Sequence, residues 1–256
     1  MARIISIHSF RGGTGKSNTT ANLSVLLANT GLRVAVVDTD IHSPGIHVVF
    51  NRKPESFSFA LNDYLYGHGK IEQAAYDVTT SAIGRVATLD DRPRIFLVPS
   101  SIKTGEIARV LREGYDVARL NDGLRELIEA LKLDYLLIDT HPGVNEETLL
   151  SIAISDIFLL ILRPDQQDFQ GTSVTVELAR RLDVERIEVM LNKVPVSMDR
   201  ALLREQVESA YRAPVVGMLP LATEMAELAS GGIFVNRHPH HPLTRDLQRV
   251  AERLLQ

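Results

Sequence analysis

Six short runs of apolar, largely β-branched residues punctuate the chain: Ile4-Ile5-Ser6-Ile7, Val34-Ala35-Val36-Val37, Ile95-Phe96-Leu97-Val98, Tyr135-Leu136-Leu137-Ile138, Ile157 to Leu162 and Ile187 to Leu191. A strand with no polar alternation is hidden on both faces, which is the situation of a parallel sheet covered by helices. Segments of helical period lie between these runs. The clearest carries Leu120, Leu124, Leu127, Ile128 and Leu131 on one face. Strand and helix in alternation predict an α/β protein with a doubly wound, mostly parallel sheet and helices on both faces. No repeat, low-complexity tract or Pro/Gly-rich linker divides the chain, so residues 1–256 read as a single domain. The pattern is weakest from Asn51 to Arg94, where helical pieces such as Phe57 to Tyr66 mix with turn residues and the charged loop Asp90-Asp91-Arg92-Pro93; least order is expected there.

Composition narrows the chemistry. A chain of 256 residues, 45% of them hydrophobic, can bury a full core without covalent or metal staples. It has no cysteine, which excludes a thiolate nucleophile, a Cys-held zinc or iron–sulfur cluster and a disulfide scaffold, and points to a reducing, cytoplasmic location. The longest apolar run, Ile157 to Leu162, is bounded by Asp156 and Arg163 and is far shorter than the roughly 18 residues of a membrane-spanning helix. Met1-Ala2-Arg3-Ile4 leads straight into a strand-like run with no signal-peptide core, so the mature protein is expected to start at or near Met1. The net charge of −4 gives the molecule no overall basic field for nucleic acid or anionic lipid.

The first strand runs directly into Phe10-Arg11-Gly12-Gly13-Thr14-Gly15-Lys16-Ser17, and a helical segment, Asn18 to Asn29, follows. Strand, glycine-rich loop and helix N-terminus form a phosphate cradle. The glycines and Thr14 turn backbone N–H groups towards a β-phosphate, Lys16 bridges β- and γ-phosphates, and the Ser17 hydroxyl is a ligand for Mg²⁺. The general pattern also has a glycine six residues before the lysine, where this chain has Phe10.

A basic residue followed by Gly-Gly-x-Gly-Lys-Ser resembles the deviant Walker A loop of the ParA/MinD family of P-loop ATPases. The resemblance implies ATP and Mg²⁺ as cofactors and a nucleotide-sandwich homodimer in which a signature lysine reaches the partner's γ-phosphate. The matching residue here is Arg11, which keeps the charge but presents a fork rather than a compact ammonium. Asn18 stands where many relatives have a hydroxyl residue that touches the α-phosphate. Asp38-Thr39-Asp40, after the second run, resembles the family's first switch, with Asp40 the candidate for orienting the attacking water and for sharing the metal, and Asp38 organising the site or capping the turn at Ser43-Pro44-Gly45. Asp139-Thr140-His141-Pro142-Gly143 resembles the second switch. By that match Asp139 is the Walker B carboxylate that holds Mg²⁺, and the Gly143 N–H faces the γ-phosphate. His141 stands where relatives often have proline; it is a turn residue or an acid/base group.

Base identity is read from Asn192-Lys193-Val194-Pro195. A guanine-reading loop ends in a carboxylate, and Pro195 cannot accept the guanine donors, so adenine is favoured, with Asn192 presenting its amide and a turn at Leu219-Pro220 supplying backbone atoms. Asn192 as a strand-end turn residue is the alternative. Cluster-carrying and arsenite-pumping relatives use cysteine, so no iron–sulfur cluster is expected. Leu243, Leu247, Val250, Ala251 and Leu254 give the terminal helix one apolar face, read as packing on the sheet rather than as a membrane anchor. Arg180, Arg181, Arg200, Arg204 and Arg212 are candidates for non-specific DNA binding, but acids interleave with them and a solvated mixed-charge face is favoured. His238-Pro239-His240-His241 has metal-friendly residues at irregular spacing. The reading is an ATP-binding, slowly hydrolysing dimerisation switch that positions, partitions or recruits a cargo through a protein partner. A small-molecule ligase or kinase of the dethiobiotin synthetase type, and a non-hydrolysing nucleotide-binding adaptor, are the alternatives.

Overall fold

The computed structural model describes residues 2–84 and 94–256. Its centre is one eight-stranded sheet in the order β3-β4-β2-β5-β1-β6-β7-β8, where the strands are β1 Arg3–His8, β2 Arg33–Asp38, β3 Tyr76–Asp77, β4 Arg94–Val98, β5 Tyr135–Asp139, β6 Ile157–Leu162, β7 Arg186–Val194 and β8 Val215–Pro220. All neighbours are parallel except β3, which pairs antiparallel with β4. The six apolar runs form β1, β2, β4, β5, β6 and β7, and β5 and β6 are buried along their whole length. The doubly wound parallel sheet is therefore as the patterning predicts.

Alternate residues of the strands feed two layers. Ile5, Ile7, Val34, Val36, Leu137 and Leu159 face one layer, which contains the helix Lys16–Ala28 and the terminal helix Pro242–Leu254. Ala35, Val37, Leu136 and Ile138 face the other, where the helix Val117–Leu131 places Leu120, Leu124 and Leu127 in the core, with Ile128 and Leu131 packed partly buried against it. The terminal helix buries Leu243, Leu247, Val250, Ala251 and Leu254 in the first layer, so its apolar face is already covered by the fold. No helix among the described residues is long and apolar enough to cross a membrane.

Two expectations change. The described part of the segment after Asn51 is structured: a 3₁₀ turn Pro54–Ser56, the helix Leu61–Leu65, a second 3₁₀ turn Ile71–Ala74, β3 and the helix Thr79–Ile83. It is pinned by Val78, Leu61 and Ile71, all buried, and by the Leu61 N–H donating to Pro99 O at 2.9 Å. Asp90-Asp91-Arg92-Pro93 lies outside the described residues. Leu219-Pro220 is not a turn but the end of β8, where Pro220 is in register with Val194.

Candidate active site

Because β1 lies between β5 and β6, and β5 between β1 and β2, the loops that leave β1, β2 and β5 meet at one end of the sheet. A strand-order reversal at that place opens the crevice in which such sheets bind ligands. The loop after β1 takes a left-handed backbone at Gly13 (φ 73°) and Gly15 (φ 100°). At Gly15 a Cβ would also come 2.4 Å from Asn192 Nδ2, so a side chain there would strain the backbone and displace the Asn192 amide.

Lys16 opens the first helix and is buried. Its Nζ donates to Ser9 Oγ at 3.2 Å, and Ser9 Oγ donates to Arg11 O at 2.7 Å. Burial holds the ammonium below its usual range, opposed by the charges of Asp139, Asp40 and Asp38. Those carboxylates come from two neighbouring strand ends. Asp38 and Asp139 are register partners. Asp38 is fully buried and accepts from the Asp40 N–H at 3.1 Å and the Gly45 N–H at 3.2 Å; it thus shapes the first switch. Burial and the neighbouring Asp139 charge push its carboxyl well up. Asp139 is pushed up to about 6 by burial, with the Ser17 hydroxyl and Lys16 opposing, and Thr20 Oγ1 lies 3.4 Å from its Oδ1. Asp40 is half-buried, its carboxyl raised by burial with His141 opposing, and its Oδ1 accepts from the Ser43 N–H at 3.1 Å.

The donor set fits a magnesium–phosphate ligand. Three carboxylates surround one buried ammonium, an excess of negative charge that a divalent cation offsets. Ser17, Asp139 and Asp40 are the oxygen donors at that place. Thr14 Oγ1 in the loop and Asn18 Oδ1 in the first turn of the helix are buried without a hydrogen-bond partner. A cavity of about 390 Å³ opens beside the loop, walled by Asn18, Asn192, Leu219, Pro220, Met225 and Leu247; its mixture of apolar wall and amide edge suits a purine base.

Asn192 lines that cavity and also braces the loop. Its Nδ2 donates to Thr14 O at 2.7 Å and its Oδ1 accepts from the Lys193 N–H at 2.8 Å, while Lys193 Nζ donates to Gly13 O at 2.8 Å. The brace by Lys193, the acceptor Ser9 and the hydroxyl of Thr20 were not anticipated from sequence; only Thr20, one helical turn after Lys16, carried a local signal.

Arg11 and Gly143 have partners within the chain. The Arg11 guanidinium lies 3.6 Å from both Asp165 and Asp168, at the start of the helix Gln166–Arg181. Asp168 is itself gripped by Arg163 at 2.9 Å and 3.1 Å. Beside it the Phe10 ring sits over Gly171 of the same helix, where an added Cβ would fall 2.0 Å from the ring. The Gly143 N–H, expected to face a γ-phosphate, donates to Ser9 O at 3.2 Å, because Gly143 (φ 87°) folds the second switch back over the end of β1.

Most of the other candidates have partners within the chain. Arg180 donates to Tyr211 O and Arg212 O, Arg200 to Met218 O, and Arg204 to Val215 O; Arg181 pairs with Glu177. His238 and His241 surround Phe234, and His241 Nδ1 caps the last helix through the Leu243 N–H at 3.1 Å. These histidines join no group of three or more His, Cys, Asp or Glu side chains placed to hold a metal ion among the described residues.

A glycine-rich loop between a buried strand and a helix, a buried lysine at that helix's start and acids at two adjacent strand ends define a P-loop nucleotide-binding protein. The chain belongs to the CobQ/CobB/MinD/ParA nucleotide-binding domain family, whose model matches residues 5–235; ParA/MinD members of this family are in general ATPases. It is 25% identical over 256 residues to an ATP-binding protein of Methanocaldococcus jannaschii, covering 100% of this chain and 88% of that one. To an iron–sulfur cluster carrier protein of Pyrococcus horikoshii it is 23% identical over 268 residues, covering 98% and 85%. The septum site-determining protein MinD of Pyrococcus horikoshii, solved in complex with Mg-ADP, superposes with a TM-score of 0.80 at 23% identity, covering 99% of this chain and 96% of that one.

Proposed function

We propose that this protein is an ATP-binding, slowly hydrolysing switch that dimerises around ATP and Mg²⁺ and so positions or recruits a cargo. The observation that carries the reading is the convergence of Lys16, Asp40 and Asp139, with Ser17 beside Asp139, next to a base-sized cavity. Mg²⁺, when bound, offsets the charge between the carboxylates and the phosphates. The N–H groups of Gly12 to Ser17 orient the phosphate chain, Lys16 exchanges Ser9 Oγ for phosphate oxygen, and Asp40 positions water. Asn192 and the Pro220 backbone border an adenine.

Slow turnover follows from the arrangement. The Gly143 N–H must leave Ser9 O, and Arg11 must leave Asp165 and Asp168, before either meets a phosphate. Moving a two-state balance from 1:99 to 99:1 needs about 5.5 kcal/mol. A hydrogen bond to a charged group contributes about 1.5–3 kcal/mol; against it stand the present pairs of the part-exposed Arg11, one with exposed Asp165 and one with buried Asp168. Two symmetry-related Arg11 contacts and two ordered switches therefore supply the difference. Arg11 acting in trans, a cytoplasmic site of action and a protein partner for the dimer belong to this same reading. So does a cluster-free cargo role, since the chain has no cysteine.

The concavity bounded by His47, Phe57, Ser100 and Lys103 holds only about 50 Å³, which gives the ligase or kinase reading no support there. The test is the light-scattering mass of Asp40→Ala protein. A doubled mass with Mg·ATP and not with Mg·ADP is expected. The same mass in both, with ATP binding confirmed by calorimetry, removes the switch.

A further inference from the structure

The two switch segments meet at one side chain. His141 Nε2 lies 4.0 Å from Asp40 Oδ1, and the His141 ring stands edge-on to His42 with centroids 5.0 Å apart. Glu147, in the first turn of the helix Glu146–Ala153, completes the surroundings: its carboxyl is raised by burial, with His42 and His141 the leading opposing charges. The backbone before His141 is fixed. Thr140 N–H and Oγ1 both donate to Ile7 O, at 3.3 Å and 3.0 Å, and Thr140 Oγ1 lies 2.7 Å from Nδ1 of the fully buried His8. The ring therefore has an anchored root, and it is Nε2 that it turns to Asp40.

The geometry of the acceptor gives this a purpose. The Ser43 N–H and His141 Nε2 address the same oxygen of Asp40, Oδ1. Oδ2 takes no hydrogen bond from the described residues, so it is the oxygen left for the attacking water or for the hydration shell of the metal. A separation of 4.0 Å is longer than a hydrogen bond, but contacts of a resting site are commonly long and tighten only in the loaded complex. Proline at position 141 would have no N–H to offer.

We infer that His141 is a positioning residue for hydrolysis: its Nε2–H grips Asp40 Oδ1 as the two switches close, which aims Oδ2 at the attacking water. No proton moves to His141 in this role. The inference rests on the ATPase reading above and adds to it the residue that couples the two switches.

Steady-state hydrolysis of Mg·ATP tests it in a double-mutant cycle. His141→Ala is expected to lower kcat about tenfold, less than the roughly 10²–10⁴-fold contributed by a group that itself transfers the proton, with KM for ATP changed less than twofold. His141→Gln, which keeps an N–H donor, is expected to recover most of the rate. In an Asp40→Asn background His141→Ala is expected to add little, because the two act as a unit. Equal penalties in both backgrounds, or a wild-type rate in His141→Ala, overturn the inference. A second measurement needs no turnover: the long-range ¹H–¹⁵N spectrum of the nucleotide-free protein is expected to show the neutral Nε2–H tautomer at His141, with that preference weakened in Asp40→Ala. The Nδ1–H tautomer would turn an acceptor towards a carboxylate and overturn it independently. Absence of any hydrolysis by the wild-type chain would instead count against the ATPase reading.

Discussion

Gly171→Ala is expected to change sign with the residue at position 10. Gly171 lies inside the helix Gln166–Arg181, where alanine is favoured over glycine by about 1 kcal/mol. In the wild-type chain the new Cβ would fall 2.0, 2.2 and 2.6 Å from Phe10 Cδ1, Cγ and Cε1. Contact with Cγ rules out a small adjustment of the ring tip, so the whole ring must leave its seat. Phe10 is 36% exposed; losing the buried two thirds of a side chain whose full burial is worth about 1.5–3 kcal/mol costs about 1–2 kcal/mol. Gly171→Ala alone is therefore expected to be neutral to about 1 kcal/mol destabilising. In Phe10→Ala protein only the helix gain remains, and the same substitution is expected to stabilise by about 1 kcal/mol. The coupling of about 1–2 kcal/mol exceeds the few tenths within which independent sites add. Urea unfolding at constant m reads all four corners of the cycle. Equal effects in both backgrounds would show that the ring does not occupy the notch.

Two further outcomes follow from the site. Asp139 is pushed up to about 6 from an ordinary 3.8, so the native nucleotide-free fold retains a proton that the unfolded chain releases; this carboxyl makes stability fall as pH rises from about 4 to 6, and the loss persists above that. Asp139→Asn is expected to remove that slope and to raise stability at pH 7 by about 1–3 kcal/mol while impairing Mg²⁺-dependent ATP binding; urea midpoints at pH 5 and pH 8 indistinguishable from wild type would contradict this. Asn192→Ala removes the 2.7 Å bond to Thr14 O and is expected to weaken ATP binding about 5- to 30-fold, the equivalent of about 1–2 kcal/mol, read by calorimetric titration; unchanged affinity would show that the loop needs no brace.

The strands that could be read from sequence were those buried on both faces, because nothing but apolar residues satisfies them. The two missed strands are the edges: β3 has two residues, too few for any pattern, and β8 carries Gly217 and Pro220, both of which resemble loop chemistry. Gly217 is there for packing, since a Cβ would meet Val250 at 2.5 Å. At the site, Lys16, Asp38, Asp40 and Asp139 were legible because they sit at fixed offsets from buried strands. The seat of Phe10 on Gly171, the hold of Asp165 and Asp168 on Arg11, and the Lys193 brace were not, because each joins residues far apart in sequence. The segment after Asn51 read as poorly ordered since its anchors, Leu61, Ile71 and Val78, are single apolar residues in short turns rather than a periodic face.

The same two edges limit how the molecule can associate. A long, flat outer strand with free N–H and C=O groups is a template on which another chain can add. Here one outer strand has two residues, and the other ends in a proline that has no N–H to donate. Both edges are thus poor templates for growth of copies by strand addition into ribbons or fibrils. Contacts between copies would then fall to side chains and loops, and in the proposed switch those are the loops that leave β1, β2 and β5.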